Sequence, residues 1–186
     1  MSPAKSEMWT DTLKFALVAL LIVIPVRWFI AQPFIVRGES MYPTFENNEY
    51  LIVDQLTYHF QAPQRGDVII MRYPKDTKTF FIKRIIGLPN DTVEIQGKTV
   101  SIQHGADKKS FTLDESFIAP ERMQDQYKVY TLGSDEYFVM GDNRVASSDS
   151  RFWGNLPRQD VVGRAYLRLW PFSRINVLPG KVTFPQ

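Results

Sequence analysis

The apolar residues of this chain are concentrated near its N-terminus, and their placement constrains the fold more than any other feature of the sequence. Fifteen of the seventeen residues at positions 15–31 are apolar, the exceptions being Pro25 and Arg27. A helix of about 21 residues is about 31 Å long, which is close to the hydrocarbon thickness of a bilayer. We therefore expect residues 13–34 to form an uncleaved transmembrane anchor after a short tail at residues 1–12.

Two other interpretations of the apolar run are open. A cleaved secretory signal is disfavoured because residues 29–33 lack a pattern of small residues and contain Pro33. A buried core helix seldom needs so many successive apolar residues. Charge does not decide the orientation of an anchor, because two lysines and the terminal amine on one side face Arg27 and Arg37 on the other.

The composition of the whole chain excludes several classes of protein. Its 186 residues suggest one domain, or two at most. The 22 Lys and Arg against 20 Asp and Glu leave a formal charge of +2, which argues against a nucleic-acid partner. Disulfide scaffolds and thiolate metal sites are excluded because the sequence contains no cysteine.

Residues 35–186 are predicted to form a mainly β domain. Short runs rich in β-branched and aromatic residues recur there between turn residues. The runs are 50–53, 68–73, 79–86, 92–96, 99–103, 127–132, 136–140 and 161–170. Alternating apolar residues on both sides of Gly97 are typical of a hairpin, so we expect the strands to be antiparallel.

Residues 104–126 differ in composition from the rest of this domain. They are rich in Lys, Asp, Glu, Gln and Ser and contain few apolar residues. We interpret them as a polar surface excursion or a small subdomain inserted between core strands. A long solvated loop is an equally good interpretation of the same composition.

Three polar clusters are candidates for chemistry, and the first, at residues 37–44, directly follows the apolar run. Gly38 permits unusual backbone angles and Pro43 stiffens the exit, so Ser40 can be held on a constrained turn with its hydroxyl exposed. Taken alone, this cluster is weak evidence, because a serine between glycine and proline is usually a turn residue.

The second cluster, at residues 79–91, embeds two cations in apolar sequence. In a strand, Lys83 and Arg84 point to opposite faces. Burial disfavours the ammonium form, so the pKa of Lys83 can fall from about 10.4 by several units and make its amine a usable base. Arg84 cannot lose its proton and needs an acidic partner. Alternatively, both side chains reach solvent at a sheet edge.

The third cluster, at residues 141–154, is dense in Asp, Ser, Asn and Arg. Such a loop can supply hydrogen bonds and ion pairs to a site, or it can cap itself through turns formed by its own side chains. Asp142 and Asp149 are candidate partners for Arg84 and Arg151.

A serine nucleophile needs a base, and the sequence limits the choice. The only histidines are His59 and His104. A Ser-His-Asp triad through His59 is possible in principle, but nothing around His59 suggests a site. The HExxH zinc pattern, the P-loop and the GxGxxG motif are absent. The economical pair that remains is Ser40 with Lys83.

In their order and spacing across residues 37–165, these clusters resemble the ordered sequence motifs of bacterial type I signal peptidases. The matching motifs are Ser40-Met41-x-Pro43-Thr44, Arg65-Gly66-Asp67-Val68, Lys83-Arg84-x-x-Gly87-x-Pro89-x-Asp91, and Gly141-Asp142-Asn143 followed by Ser147, Asp149-Ser150-Arg151 and Trp153-Gly154. The apolar run before the first motif also matches the family.

The resemblance implies a membrane-anchored serine endopeptidase that removes N-terminal signal peptides from exported preproteins, with an antiparallel β catalytic domain of signal-peptidase type. By the same resemblance, Ser40 is the nucleophile, Lys83 is the general base, and the Ser40 N–H meets the oxyanion. The supporting residues that it implies are Ser147, which orients the Lys83 amine, and the structural ion pairs Asp142 with Arg84 and Asp149 with Arg151. No metal or cofactor is expected.

The resemblance also implies a location and a setting. A single-pass anchor in the bacterial cytoplasmic membrane would place the catalytic domain on the outer side, either periplasmic or extracellular. The expected partners are preproteins, the lipid bilayer and, by functional proximity, the export translocon, with no nucleic acid. Phe34, Ile35 and Val36 are candidates to line a shallow substrate pocket that favours Ala-like side chains.

One position departs from part of the family. Some members carry a serine two positions before the nucleophile, and its hydroxyl adds a second oxyanion donor, whereas this chain has Gly38. Other members also have glycine there, so activity is not excluded, but the second donor is unassigned. Two alternative functions are open: another Ser/Lys-dyad protease, such as a self-cleaving repressor, or a catalytically silent relative that binds signal peptides.

Overall fold

The computed structural model describes residues 3–25, 31–105 and 109–185. Its helices are α1 (Pro3–Pro25), α2 (Thr57–Phe60) and α3 (Ser150–Trp153). Its strands are β1 (Ala31–Ile35), β2 (Tyr50–Asp54), β3 (Val68–Tyr73), β4 (Asp76–Gly87), β5 (Asp91–Gly97), β6 (Thr99–His104), β7 (Lys109–Thr112), β8 (Gln126–Thr131), β9 (Glu136–Met140), β10 (Leu156–Pro157), β11 (Val161–Trp170) and β12 (Asn176–Val177).

The described strands form two sheets in which neighbouring strands are antiparallel. The larger sheet has the order β1-β2-β11-β3-β4-β9-β10, with β12 paired to β11. The smaller sheet has the order β7-β6-β5-β8, and its β5–β6 hairpin turns at Gly97, whose φ is +62°. The predictions of a mainly antiparallel β domain and of this hairpin are confirmed.

The predicted helix over residues 13–34 is wrong at its C-terminal end. Residues 31–35 form strand β1, which pairs with β2 in register from Ala31 opposite Asp54 to Ile35 opposite Tyr50. Pro33 has no N–H to donate, which disfavours a helix interior but is tolerated in an edge strand such as β1. Residues 26–30 of the predicted anchor lie outside the described residues.

Several apolar side chains of helix α1 are exposed. Phe15, Leu17 and Leu21 are 77%, 62% and 66% exposed. Among the helices that the structure describes, none combines the length and the hydropathy needed to cross a membrane.

Strand β4 lies inside the larger sheet, between β3 and β9. Its residues Ile82, Ile85 and Ile86 belong to three different clusters of buried apolar side chains, so both faces of the strand are covered. Lys83 and Arg84 lie in the same stretch and are 3% and 0% exposed. The alternative interpretation, in which both cations reach solvent at a sheet edge, is therefore wrong.

The polar excursion at residues 104–126 packs against the domain where it is described. Its strand β7 extends the smaller sheet. Leu113 and Ile118 are 5% and 4% exposed, and the carboxylate residue Glu115 is 7% exposed. The apolar residues of this segment therefore pack against the core of the smaller sheet.

Candidate active site

Ser40 lies on a turn that the chain forms after β1. Met41 and Phe45 are 1% and 0% exposed, and they anchor this turn in a cluster of buried apolar side chains. The Phe45 N–H donates to the Met41 carbonyl at 2.9 Å, which closes the turn. Gly38, two residues before Ser40, has a φ of +87°, a left-handed conformation that glycine adopts at little cost. Ser40 is consequently half-buried, and its hydroxyl reaches β4.

The structure brings Ser40 and Lys83 into contact. Nζ of Lys83 donates a hydrogen bond to Oγ of Ser40 at 2.8 Å. The amine also donates to the Ile82 carbonyl at 3.0 Å, and it lies 5.1 Å from the centroid of the Phe81 ring. No carboxylate in the described part of the chain forms an ion pair with Lys83. The amine is therefore held against the serine oxygen by uncharged acceptors alone.

Burial changes the acidity of this amine. It lowers the pKa of Lys83 from 10.5 to about 8, because the ammonium form loses hydration in the protein interior. Asp149 and Asp142 act against this by attracting the ammonium, and Arg151 lowers the pKa slightly further. With such a pKa, roughly one amine in ten is neutral at pH 7, and a neutral amine can accept the proton of Ser40.

Arg84, the neighbour of Lys83, is paired with Asp142. Its Nε donates to Oδ1 of Asp142 at 2.8 Å, and its Nη2 donates to Oδ2 at 2.6 Å. Nη1 donates to the carbonyls of Gly66 and Gly180 at 2.9 and 2.7 Å. Oγ1 of Thr44 donates a further hydrogen bond to Oδ2 of Asp142 at 2.6 Å. This buried pair connects β4 to the third cluster and to the turn that carries Ser40.

Asp149 and Arg151 form the second predicted ion pair. Nε and Nη2 of Arg151 donate to the two carboxylate oxygens of Asp149 at 2.7 and 2.8 Å. Asp149 also accepts the Gly141 N–H at 3.0 Å, while Arg151 Nη2 donates to the Arg144 carbonyl at 2.7 Å. The loop at residues 141–151 is thus closed by hydrogen bonds at both of its ends.

Ser147 is buried beside the turn that carries Ser40, but it does not make the predicted hydrogen bond to Lys83. Ser147 is 5% exposed. Its Oγ has no hydrogen-bond partner in the described part of the chain, so it forms no hydrogen bond to Lys83. A Cβ added to Gly141 would collide with both the Ser147 hydroxyl and the Ser40 carbonyl oxygen. Ser147 and the backbone of Ser40 therefore both lie directly against Gly141.

The backbone N–H of Ser40 is the predicted oxyanion donor. Among the described residues it donates to no other group, so it is available to a ligand. The Gly38 N–H is engaged, because it donates to Oδ1 of Asn47 at 3.1 Å. The structure therefore assigns no group to replace the second donor that Gly38 lacks.

A cavity of about 260 Å³ opens beside the Ser40–Lys83 pair. The three candidate pocket residues all line it. Its walls are formed by Phe34, Ile35, Val36, Arg37, Leu51, Ile70, Phe80, Phe81 and Ile82, with Ser40 and Lys83. A mostly apolar cleft therefore leads to the hydroxyl of Ser40.

Sequence reasoning missed three buried ion pairs in the described part of the chain, one of which joins Arg65 to Asp91 at 2.7 Å. Arg144 binds Glu115, with Nη1 3.1 Å from Oε2, and this attaches the excursion at residues 104–126 to the third cluster. Arg168 binds Glu49 at 3.0 Å. Arg168 stands between two leucines in β11, which is the same signal of a cation in apolar sequence that singled out Lys83. Applied to every strand, that signal finds Arg168.

A serine hydroxyl contacted by a buried lysine amine at the end of an apolar cleft is the arrangement of a serine hydrolase with a lysine base. The family model described as signal peptidase, peptidase S26, matches residues 9–170 of the chain. The chain belongs to this family and is a serine endopeptidase.

Individual proteins that are similar to this chain are also signal peptidases. Signal peptidase I of Leptolyngbya laminosa is 36% identical over 190 residues, which cover 95% of this chain and 89% of that protein. Signal peptidase I P of Bacillus subtilis subsp. natto is 35% identical, with 89% of this chain and 91% of that protein covered. A crystal structure of a signal peptidase I from Enterococcus faecalis V583 is 30% identical and matches with a TM-score of 0.46, covering 56% of this chain and 97% of that one.

Proposed function

We propose that this protein cleaves N-terminal signal peptides from exported preproteins, with Ser40 as the nucleophile and Lys83 as the general base. The observation that carries the proposal is the 2.8 Å contact between Oγ of Ser40 and Nζ of Lys83. Membership of the signal peptidase family supports the substrate class. The pKa of about 8 supports the role of Lys83, since only a neutral amine can take the serine proton.

The reaction begins when Lys83 takes the hydroxyl proton of Ser40 as Oγ attacks the scissile carbonyl carbon. The π electrons of the carbonyl move onto its oxygen, which accepts a hydrogen bond from the Ser40 N–H. The Lys83 ammonium gives its proton to the departing amine nitrogen as the C–N bond breaks, leaving an ester on Ser40. Water then attacks the ester carbon while Lys83 accepts a proton from it. The bond between the acyl carbon and Oγ breaks as Lys83 returns that proton to Oγ, and the signal peptide leaves as a carboxylic acid that ionises in water.

The cleft suits an extended peptide with small side chains near the scissile bond. Its volume of about 260 Å³ is modest, below the range of about 300–1,000 Å³ usual for small-molecule sites. Phe34 and Phe80, which both line it, meet edge to face with 5.4 Å between their ring centroids, and this limits its width. We propose that Phe34, Ile35 and Val36 select Ala-like side chains.

Ser147 is proposed to orient the Lys83 amine. Its hydroxyl is buried and unpaired beside the Ser40 backbone, so it is free to reorient when a substrate fills the site. Catalytic hydrogen bonds are often incomplete without substrate. The ion pairs of Arg84 with Asp142 and of Asp149 with Arg151 would fix the loop from which Ser147 projects.

We further propose that the N-terminal segment holds the domain on the outer side of the bacterial cytoplasmic membrane as a single-pass anchor. The exposed apolar side chains of α1 support contact with the lipid bilayer. Ser40 follows residue 30 by ten positions, which limits their separation to about 36 Å. An active site so close to the bilayer would meet signal peptides as the export translocon releases them.

Cleavage of a purified preprotein by the full chain tests the enzymatic proposal. We expect loss of the signal peptide, with the new N-terminus identified by mass spectrometry, and no product from Ser40→Ala. Ser148→Ala is the matched control, because Ser148 is exposed in the same loop as Ser147, and it should retain activity. Equal product from Ser40→Ala and the wild type would contradict the proposal.

Flotation of the full chain with lipid vesicles tests the anchor separately. We expect the protein to float and to stay bound at high pH, whereas the double variant Leu17→Asp with Leu21→Asp should remain in the dense fractions. Val129→Asp changes a similarly exposed apolar residue on β8 and serves as the control. Failure of the wild-type chain to float would refute the anchor without affecting the Ser40 result.

A further inference from the structure

The peptide group between Glu39 and Ser40 has a partner at its carbonyl end. Its other end is the Ser40 N–H, the proposed oxyanion donor. The Glu39 carbonyl oxygen accepts two hydrogen bonds, one from the Tyr42 N–H of the same turn and one from Nδ2 of Asn143, each at 3.1 Å. The backbone N–H of Asn143 donates in addition to the Ser40 carbonyl at 3.0 Å. One residue of the third cluster thus contacts both peptide groups that flank the Cα of Ser40.

We propose that Asn143 is a positioning residue of the oxyanion site, acting through the Glu39–Ser40 peptide group. This inference rests on the proposed function and assigns a further residue to the same reaction. A hydrogen bond to the carbonyl polarises the planar peptide, which makes the N–H at its other end a stronger donor. Together with the Tyr42 N–H, which donates to the same carbonyl from within the turn, this bond fixes the peptide plane and therefore the direction of the Ser40 N–H.

The surroundings of Asn143 agree with this role. The residue is 0% exposed, and only its amide nitrogen can donate to a carbonyl, so the Glu39 contact decides which way the amide points. Its Oδ1 is consequently buried without a partner. An unpaired buried oxygen disfavours the folded state, so stability alone does not account for an asparagine here.

The contact between Asn143 and the Glu39 carbonyl matters more because the oxyanion would depend on a single donor, the Ser40 N–H. The Gly38 N–H donates to Asn47, and Gly38 has no side chain that could supply a second donor to the oxyanion. The Ser40 N–H would therefore carry the stabilisation of the developing charge, and its direction and polarity would control the rate.

The test compares Asn143→Ala and the similar-sized Asn143→Leu with the wild type. Asn155→Ala is the matched control, because Asn155 Nδ2 also donates to a backbone carbonyl, that of Thr131, at 3.1 Å. We would measure kcat and KM for a signal-peptide substrate and the inhibition constant of a peptide aldehyde. Ser40 adds to the aldehyde carbon to form a hemiacetal, whose oxygen takes the place of the oxyanion. The corresponding peptide amide, which forms no such bond, is the reference ligand.

We expect kcat to fall about tenfold, less than the loss of about 10²–10³ when an oxyanion donor is removed outright. Affinity for the aldehyde should fall by a similar factor. KM, affinity for the peptide amide and the apparent pKa of the pH–rate profile should stay close to wild type, and Asn155→Ala should be unchanged throughout.

Several results would overturn the inference. These are unchanged kcat and aldehyde affinity in both Asn143 variants, a loss confined to KM, or failure of both variants to fold at 25 °C, which would make the residue structural. A wild-type chain that forms no Ser40-dependent hemiacetal would instead refute the proposed function.

Discussion

Lys83 and Arg84 are adjacent on strand β4, both are buried, and their surroundings differ in one respect. Arg84 forms two hydrogen bonds to the Asp142 carboxylate and two more to backbone carbonyls. In the described part of the chain, Lys83 donates hydrogen bonds only to the Ser40 hydroxyl and the Ile82 carbonyl. The two faces of one strand therefore hold a neutralised cation and a cation without a counterion.

The difference follows from the chemistry of the two side chains. A guanidinium cannot lose its proton, so a buried arginine needs a carboxylate. A buried lysine can become neutral instead, and its low pKa is the property that a general base requires. The paired face thus holds a buried ion pair, and the unpaired face holds the amine that we propose as the general base.

The largest effect should come from Lys83→Met, which removes the base while keeping an apolar stem. We expect activity to fall by about 10⁴-fold or more, measured as initial cleavage rate of a preprotein. Stability should not fall, because the difference between a pKa of 10.5 and one of about 8 corresponds to a penalty of about 3 kcal/mol for the buried ammonium at neutral pH. Urea denaturation that shows clear destabilisation would contradict the unpaired state of Lys83.

The same change at the neighbouring position should have the opposite effect on stability. Arg84→Met leaves the Asp142 carboxylate buried without its partner, so we expect a loss of about 3–5 kcal/mol in the free energy of unfolding. Urea denaturation of Lys83→Met and Arg84→Met side by side compares the two faces of β4 directly. Equal stability of the two variants would remove the distinction between them.

Gly141→Ala should disturb the reactive face without changing a charge. The added Cβ would collide with the Ser40 carbonyl oxygen and the Ser147 hydroxyl, so the turn that carries Ser40 must move. We expect cleavage to slow about 10²-fold, as is typical when a reacting group is displaced by about 1 Å. Gly133→Ala, where the nearest atoms to an added Cβ belong to the Glu136 side chain at 3.2 Å, is the control. Wild-type activity in Gly141→Ala would show that Ser40 is not held as the structure describes.

Ser147→Ala should give the smallest effect. Because the hydroxyl has no partner, we expect the free energy of unfolding to change by less than about 0.5 kcal/mol. If Ser147 orients the Lys83 amine during the reaction, kcat falls about tenfold or more while the protein stays folded. Unchanged kcat would leave Ser147 with no role in catalysis.

Much of the fold follows from local sequence patterns. Strands β3 and β11 and the β5–β6 hairpin match their apolar runs. The continuous apolar run of β3 is buried over its first four residues, whereas burial alternates along β5, β6 and β11, as their alternating sequences predict. Strand β1 could not be predicted in this way, since an apolar run fits a helix or a strand equally. Its state is decided by pairing with β2, which begins fifteen positions after β1 ends.

The site shows the same limit. The order of motifs was enough to nominate Ser40, Lys83 and the two ion pairs, all of which the structure brings together in pairs. The contact of Arg144 with Glu115 joins residues 29 positions apart, and no local sequence pattern predicts it. The same holds for the orientation of the Ser147 hydroxyl, which depends on a rotation that sequence does not encode.

The pH dependence of kcat/KM tests most directly whether Lys83 acts as a neutral base. Because burial lowers the pKa of Lys83 to about 8, the active form is lost as the amine gains a proton below that pH. With a substrate that does not titrate between pH 5 and 10, kcat/KM should be half-maximal near pH 8, level off about one pH unit above that, and fall about tenfold per pH unit well below it. Full activity at pH 5, or an apparent pKa near that of a solvated lysine, would contradict the role of Lys83 as a buried, unpaired base.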